Sequence, residues 1–248
     1  MKKRDCLARS MALSLDGGVL PLPAVADTAS LFPSLAGSRL ENVPLSADEA
    51  FVSQYLPKHE DQPVWIHPAG TPRAVSGDCV MIPCWHTALR DPRGYVDRVV
   101  RLKRQVPPDT AWYAPAAALP STVHLLCYSG FDLFDFTGPD LASVKGLFCL
   151  PEGEFPRDWM EHGACTCPGC REGDLFAHNR GALERELALM RRFIGEGRLR
   201  DLVESRCRMQ PAQVAVLRWF DRQEGFMEEA APVARAAPLP ATTGEALS

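Results

Sequence analysis

The chain has no apolar run approaching the roughly 18–20 residues that a membrane-crossing helix needs, so no membrane span is expected. It also has no surplus of positive charge. Over 248 residues, 27 Lys+Arg stand against 31 Asp+Glu, a net charge of −4. That excludes nucleic-acid binding through bulk charge and leaves only a local basic patch for such a role. Internal repeats and lysine-rich tracts are missing too. The basic opening MKKRDCLARS is broken by Asp5 and Arg9 before an apolar stretch can form, so it does not read as a secretory leader. Hydrophobic residues make up 46% and charged residues 23%, a globular composition that excludes a wholly disordered or collagen-like chain. Cysteine is not scarce. There are nine, an odd number, and three of them fall within CTCPGC at 165–170. Such crowding disfavours pairwise disulfides and favours a metal site in a reducing cytoplasm.

Proline and glycine punctuate the first hundred residues, including the loop-rich stretch LFPSLAG. Strands are expected at Val19–Val25, Pro63–His67 and Cys79–Pro83, and a helix from Ser46, which with Glu49 forms a capping box. Asp91-Pro92 opens a stronger helix, with Tyr95, Val96, Val99, Val100 and Leu102 on one face through to about Arg104. A strand at Thr110–Ala114, a helix at Leu119–Ser129 and a buried strand at Phe131–Phe136 complete a strand–helix rhythm over residues 79–136. That rhythm predicts parallel α/β units, with sites at the carboxyl ends of the strands. Helices are expected next at Asn179–Ile194, broken by Gly195 and Gly197, then at Leu199–Arg208 and Pro211–Gln223.

Cys165-x-Cys167-x2-Cys170 followed by His178 is the strongest chemical signal. Three thiolates and one imidazole form a closed tetrahedral zinc site with no open position, hence a structural metal. Pro168 and Gly169 allow the tight turn between Cys167 and Cys170, and His178 is expected just before a helix. Free or redox-active thiols are the plainer alternative, and His162 is a rival fourth ligand. The remaining cysteines read as small buried apolar residues.

The C-x-C-x2-C and His178-Asn179 pairing, downstream of Gly130-Phe-Asp-Leu-Phe-Asp135 and of Tyr113-Ala-Pro, resembles the tRNA-guanine transglycosylase superfamily over roughly residues 79–208. Its archaeal-type and archaeosine-synthase-like branches are the most similar. The resemblance implies a compact or partial TIM-type (β/α) barrel at 1–150 and a zinc-binding helical subdomain at 151–225, and the Ala/Pro/Thr-rich composition of the end of the chain predicts a disordered tail at 226–248. The resemblance also implies base exchange on tRNA, with DNA as a variant substrate. A carboxylate attacks C1′, guanine leaves, and a 7-deazaguanine takes its place. Asp135 matches the family's nucleophile. Its plainer reading is a helix N-cap or a loop carboxylate that bonds nearby amides, and Asp132 is expected to be structural.

Two departures stand beside this likeness. The second aspartate that the family carries early in its barrel is not placed within residues 1–78, and the loop after Asp135, FTGPDLASVKG, offers only Lys145 as a cation. The chain is therefore either a compact barrel with degenerate early units or a partial one that needs a partner. A noncatalytic zinc-bearing subunit remains the rival reading, and a homodimer is a further expectation. Between 180 and 208, eight arginines face five acidic residues. Arg191 and Arg192 are candidate phosphate contacts there, with i,i+4 ion pairing as the alternative. His86, after the CVMIP strand, is a candidate pocket-edge residue, and His124 is expected to pack within a helix or face solvent.

Overall fold

The computed structural model describes residues 3–15, 18–26, 64–65, 79–82 and 90–230. The helix expected from Ser46, the LFPSLAG loop and the candidate pocket edge at His86 lie outside the described residues.

An antiparallel sheet opens the chain, made of β1 (Lys3–Asp5), β2 (Ala8–Leu15) and β3 (Gly18–Leu22) in that order. Five short strands form a second, parallel sheet: β4 (Ala24–Val25), β5 (Val64–Trp65), β6 (Cys79–Met81), β7 (Ala111–Tyr113) and β8 (Leu133–Phe134). Their order is β4-β8-β7-β6-β5, so a strand from the start of the chain lies beside the last one. Helix α1 (Pro92–Gln105) connects β6 to β7, and α2 (Val123–Tyr128) connects β7 to β8. The α/β class expected from the sequence is thus present.

Alternation along the strands separates two cores, as the two-residue period of a strand dictates. Val80, Trp112 and Phe134 point to the helices, whereas Met81, Tyr113 and Leu133 meet Leu13 and Leu22 of the antiparallel sheet. Both faces are covered, which explains why CVM, AWY and LF read as continuous apolar runs.

Helix α1 begins where expected, because the Asp91 side chain accepts from the Gly94 amide at 3.0 Å and Pro92 occupies the first turn. Its buried face is the one read from the sequence: Tyr95, Val96, Val99, Val100 and Leu102. The expected helix at Leu119–Ser129 is shorter, since only Val123–Tyr128 is α-helical.

Beyond β8 follow α3 (Thr137–Val144), the hairpin of β9 (Leu147–Leu150) and β10 (Gly153–Pro156), α4 (Asp158–Glu161), α5 (Pro168–Glu172), α6 (Leu175–Glu196), α7 (Leu199–Cys207), α8 (Pro211–Asp221) and α9 (Glu224–Ala230). The hairpin crosses the expected junction at 150/151. Leu183, Leu187 and Met190 of α6 and Phe220 of α8 share one apolar cluster with Val96 and Trp112. Helix α6 starts four residues earlier than expected and continues through Gly195. Gly197, at φ 72° in the left-handed region, ends it. The expected tail starts inside α9, where Phe226 is buried, so residues 226–230 are a correction to that reading.

Arg9 breaks the apolar pattern of β2 for a structural reason. Its Nε and Nη2 donate to the two carboxylate oxygens of Asp132 at 3.1 and 2.8 Å, and its remaining donors reach the carbonyls of Pro108 and Thr110. The ion pair is 3% and 1% exposed. Asp132 also accepts from the Trp112 amide at 2.9 Å, which makes it structural as expected. Removing one partner leaves an uncompensated buried charge. Arg9→Met is therefore expected to cost about 3–5 kcal/mol of stability, measurable by urea unfolding.

His124 is buried on α2, which excludes the solvent-facing alternative. Its Nε2 donates to Gln213 Oε1 at 2.8 Å, and Nδ1 has no partner among the described residues. Burial pushes its pKa down to about 4, against the hydrogen bond to Gln213. The unfolded imidazole titrates near ~6.5 and so binds more protons as the pH falls below that value. Stability should therefore decline from about pH 6.5 down to about 4, by roughly 3 kcal/mol at the limit. Urea midpoints measured across this range should flatten in His124→Gln.

Candidate metal centre and strand-end carboxylate

Cys165, Cys167, Cys170 and His178 come together as the sequence spacing predicts, with all four ligand atoms within 4.8 Å of one another. Cys167 caps α5: its Sγ accepts from the Cys170 amide at 3.4 Å, and Pro168 fills the first turn. Gly173, at φ 73°, closes α5, and Asp174 caps α6 by accepting from the Ala177 amide at 3.0 Å. His178 is therefore inside the first turns of α6 and not before the helix, a correction of four residues to its expected start. The Asp174 cap brings the imidazole back over the thiols.

The donor set fits a tetrahedral ion. Nδ1 of His178 lies 3.4 Å from Cys167 Sγ and 3.2 Å from Cys170 Sγ. For bonds of about 2.3 Å to sulfur and about 2.1 Å to nitrogen, a tetrahedral S···N edge is roughly 3.6 Å. Nε2 donates to the Cys149 carbonyl at 3.0 Å, which leaves Nδ1 bare and aimed at the cluster. Burial, the largest influence, pulls the imidazole below its ordinary pKa and favours the neutral ligating form. Phe148 stacks on the ring with centroids 4.0 Å apart. The four residues could hold one metal ion, consistent with zinc. The rival ligand His162 is exposed, bonded through Nδ1 to the Asp158 carbonyl, and outside the cluster.

Asn179 explains why asparagine follows the histidine. Its Oδ1 accepts from the Cys149 amide, and its Nδ2 donates to Ser143 Oγ and the Leu147 carbonyl, each at 2.8 Å. His178 and Asn179 thus grip the same strand, β9. Neither this role nor the Cys149 carbonyl was legible in the ligand spacing.

Asp135 directly follows β8 and is 2% exposed. Its Oδ2 accepts from the Tyr113 hydroxyl at 2.7 Å and the Ala116 amide at 2.9 Å, and Oδ1 accepts from the Thr137 amide at 2.8 Å. Tyr113 ends β7, one strand over. Strand pairing brings these two ends together, a contact that no local feature of the sequence signals. Next along, Phe136 lies beneath the Arg180 guanidinium, 5.0 Å from the ring centroid, and Arg180 also grips Asp140 with two bonds of 2.7 and 2.6 Å. The helix bearing His178 is thereby tied to the segment that follows Asp135.

The candidate phosphate contacts differ in setting. Arg191 donates to the Pro23 carbonyl at 2.8 Å, and exposed Arg192 pairs with Glu196 at 3.0 Å. Lys145 is exposed at the end of α3, with no ion pair among the described residues. No helix of the described residues is long and apolar enough to cross a membrane.

The turn that carries the ligands leaves no room for a side chain at Gly169. A Cβ there would lie 2.6 Å from the His178 amide nitrogen and 2.9 Å from the Asp174 carbonyl oxygen, both backbone atoms that cannot rotate away. Gly169→Ala is expected to cost about 1–3 kcal/mol and to lower the metal content of purified protein, checked by thermal unfolding and elemental analysis.

No protein-family model matches the chain. Among curated proteins it is similar to the archaeosine synthase subunit alpha of Methanosarcina acetivorans, 37% identical over 177 residues, which are 65% of this chain and 28% of the relative. The archaeosine synthase of Haloferax volcanii is 35% identical over 162 residues, 62% of this chain and 28% of the relative. The tRNA-guanine(15) transglycosylase of Thermococcus kodakarensis is 28% identical over 170 residues, 62% of this chain and 29% of the relative. The chain spans less than a third of the length of these relatives. Over about three-fifths of its length, the chain is thus similar to archaeal proteins of the tRNA-guanine transglycosylase superfamily.

Proposed function

We propose that the chain is a transglycosylase-like protein of 7-deazaguanine tRNA modification, with Asp135 as the nucleophile of a base exchange. The observation that carries this reading is the Asp135 carboxylate itself. It sits at the carboxyl end of a parallel strand, where α/β sites are built, and is linked through Phe136 and Arg180 to the helix of the Cys/His cluster. A carboxylate offers about four acceptor positions. Three are filled by Tyr113, Ala116 and Thr137, which fixes the group's orientation and leaves one on Oδ1.

From that lone pair, Oδ1 forms a bond to C1′ of the target nucleotide while the C1′–N9 bond of guanine breaks. The released base takes a proton. N9 of the incoming 7-deazaguanine then displaces the carboxylate, losing its own proton, and Asp135 returns to its starting state. The cluster binds one structural zinc through its four protein ligands. The pairing of β4 with β8 supports a sheet that closes towards a TIM-type barrel, because such closure sets an early strand beside the last. Exposed Lys145 and Arg192, together with Arg191, serve as phosphate contacts for tRNA.

A second reading is favoured by one observation: Asp135 is only 2% exposed and three of its acceptor positions are taken by Tyr113, Ala116 and Thr137. In that reading the chain is a noncatalytic, zinc-bearing subunit that binds RNA or a partner protein. A single assay separates the two. The zinc-loaded protein is incubated with tRNA and labelled guanine or a 7-deazaguanine, alone and with candidate partners, and covalent adducts are trapped. Exchange and an adduct that both vanish in Asp135→Asn are the expected result. Intact tRNA binding with no adduct under any condition would establish the subunit instead.

A further inference from the structure

A second concentration of charge lies at the other end of the parallel sheet. Asp135 follows β8, whereas Arg9 grips Asp132 and the Thr110 carbonyl, just ahead of β8 and β7. Here a cavity of about 160 Å³ is lined by Arg4, Arg9, Lys103 and Trp112, with Glu229 and Ala230 of α9 also in its wall. It is comparable in volume to an apolar cavity of about 150 Å³ that accommodates benzene, but three basic side chains stand in its wall beside apolar residues such as Leu7 and Val106.

The three cations are not equivalent. Arg9 is neutralised by Asp132. Arg4 donates from Nη1 to the Ala230 carbonyl, while its Nε is buried with no partner among the described residues. Lys103 donates to the Gly130 carbonyl at 2.8 Å and rides over the Trp112 ring, 3.6 Å from its centroid. An ammonium has three donors, so these partners leave it donor capacity. Neither Arg4 nor Lys103 has a carboxylate within ion-pair distance among the described residues. The lysine's passage is also built in: a Cβ on Gly130, at φ 87°, would lie 2.5 Å from Nζ and 2.8 Å from the Leu7 carbonyl oxygen.

We propose that this cavity binds a phosphate-class anion, held by Arg4 and Lys103 and backed by the Arg9–Asp132 pair. Burial, together with Arg9 and Arg4, pulls Lys103 well below the ordinary lysine range, against the pull of Asp132. A bound dianion would offset the repulsion among the cations. Glu229 is exposed and is the carboxylate in the lining, so it opposes the same guest. The proposal does not depend on Asp135 or on base exchange.

Inorganic phosphate is the probe. Titration calorimetry and thermal unfolding compare sodium phosphate with sodium chloride at matched ionic strength and neutral pH. Saturable binding of phosphate is expected, with a rise in unfolding temperature that chloride does not give. Arg4→Gln should weaken binding about 10-fold or more, the loss of one charge-assisted contact. Glu229→Gln lies on an exposed position, risks little structure, and should tighten binding about 2- to 5-fold. Competition by tRNA would assign the phosphate to RNA, and phosphate binding without such competition would assign it to a free ion or small ester. Equal responses to phosphate and chloride, or phosphate binding unchanged in both folded variants, would overturn the proposal.

Discussion

Strand β8 is only two residues long, and it is held in place by a carboxylate at each end. Asp132, before it, ties the sheet to Arg9 of the antiparallel layer and takes the Trp112 amide. Asp135, after it, takes the Tyr113 hydroxyl and the Ala116 amide from β7 and the loop beyond. Between them, the backbone of β8 pairs with β4 on one side and β7 on the other. So short a strand contributes few ladder bonds of its own. The two aspartates supply the remaining attachment, one through a buried ion pair and the other through hydrogen bonds alone. The first fixes where the strand enters, and the second fixes where it ends.

This arrangement shows why the sequence was legible in parts. Helix α1 announced itself through Asp91, Pro92 and five apolar residues at helical spacing, because its start and its buried face are both local features. The strands at 79–81 and 111–113 were legible because burial on both faces makes them apolar throughout. Pairings between distant residues were not. Arg9 looked like an interruption in an apolar stretch, and its partner is 123 residues away. The opening antiparallel layer was read only in part, since its pattern makes sense once Leu13 and Leu22 are seen to cover Met81 and Leu133.

The ligand cluster was the more legible of the two sites. Metal ligation forces cysteines and histidine into short, characteristic spacings, and the thiols and imidazole meet as that spacing requires. What the spacing could not convey was the support around it. Capping by Asp174 moved the helix start ahead of His178, and the stacking of Phe148 and the carbonyl of Cys149 came from a hairpin nearly thirty residues upstream. Asp135 was legible as a strand-end carboxylate, while the tyrosine that aims it depended on which strands are neighbours.

The grip of His178 and Asn179 on β9 has one more consequence. Adjacent residues on a helix point about 100° apart, yet both side chains reach the same residue, one taking the carbonyl of Cys149 and the other its amide. A slide of α6 along β9 would stretch both bonds together, so one residue of the hairpin sets the seat of the ligand-bearing helix.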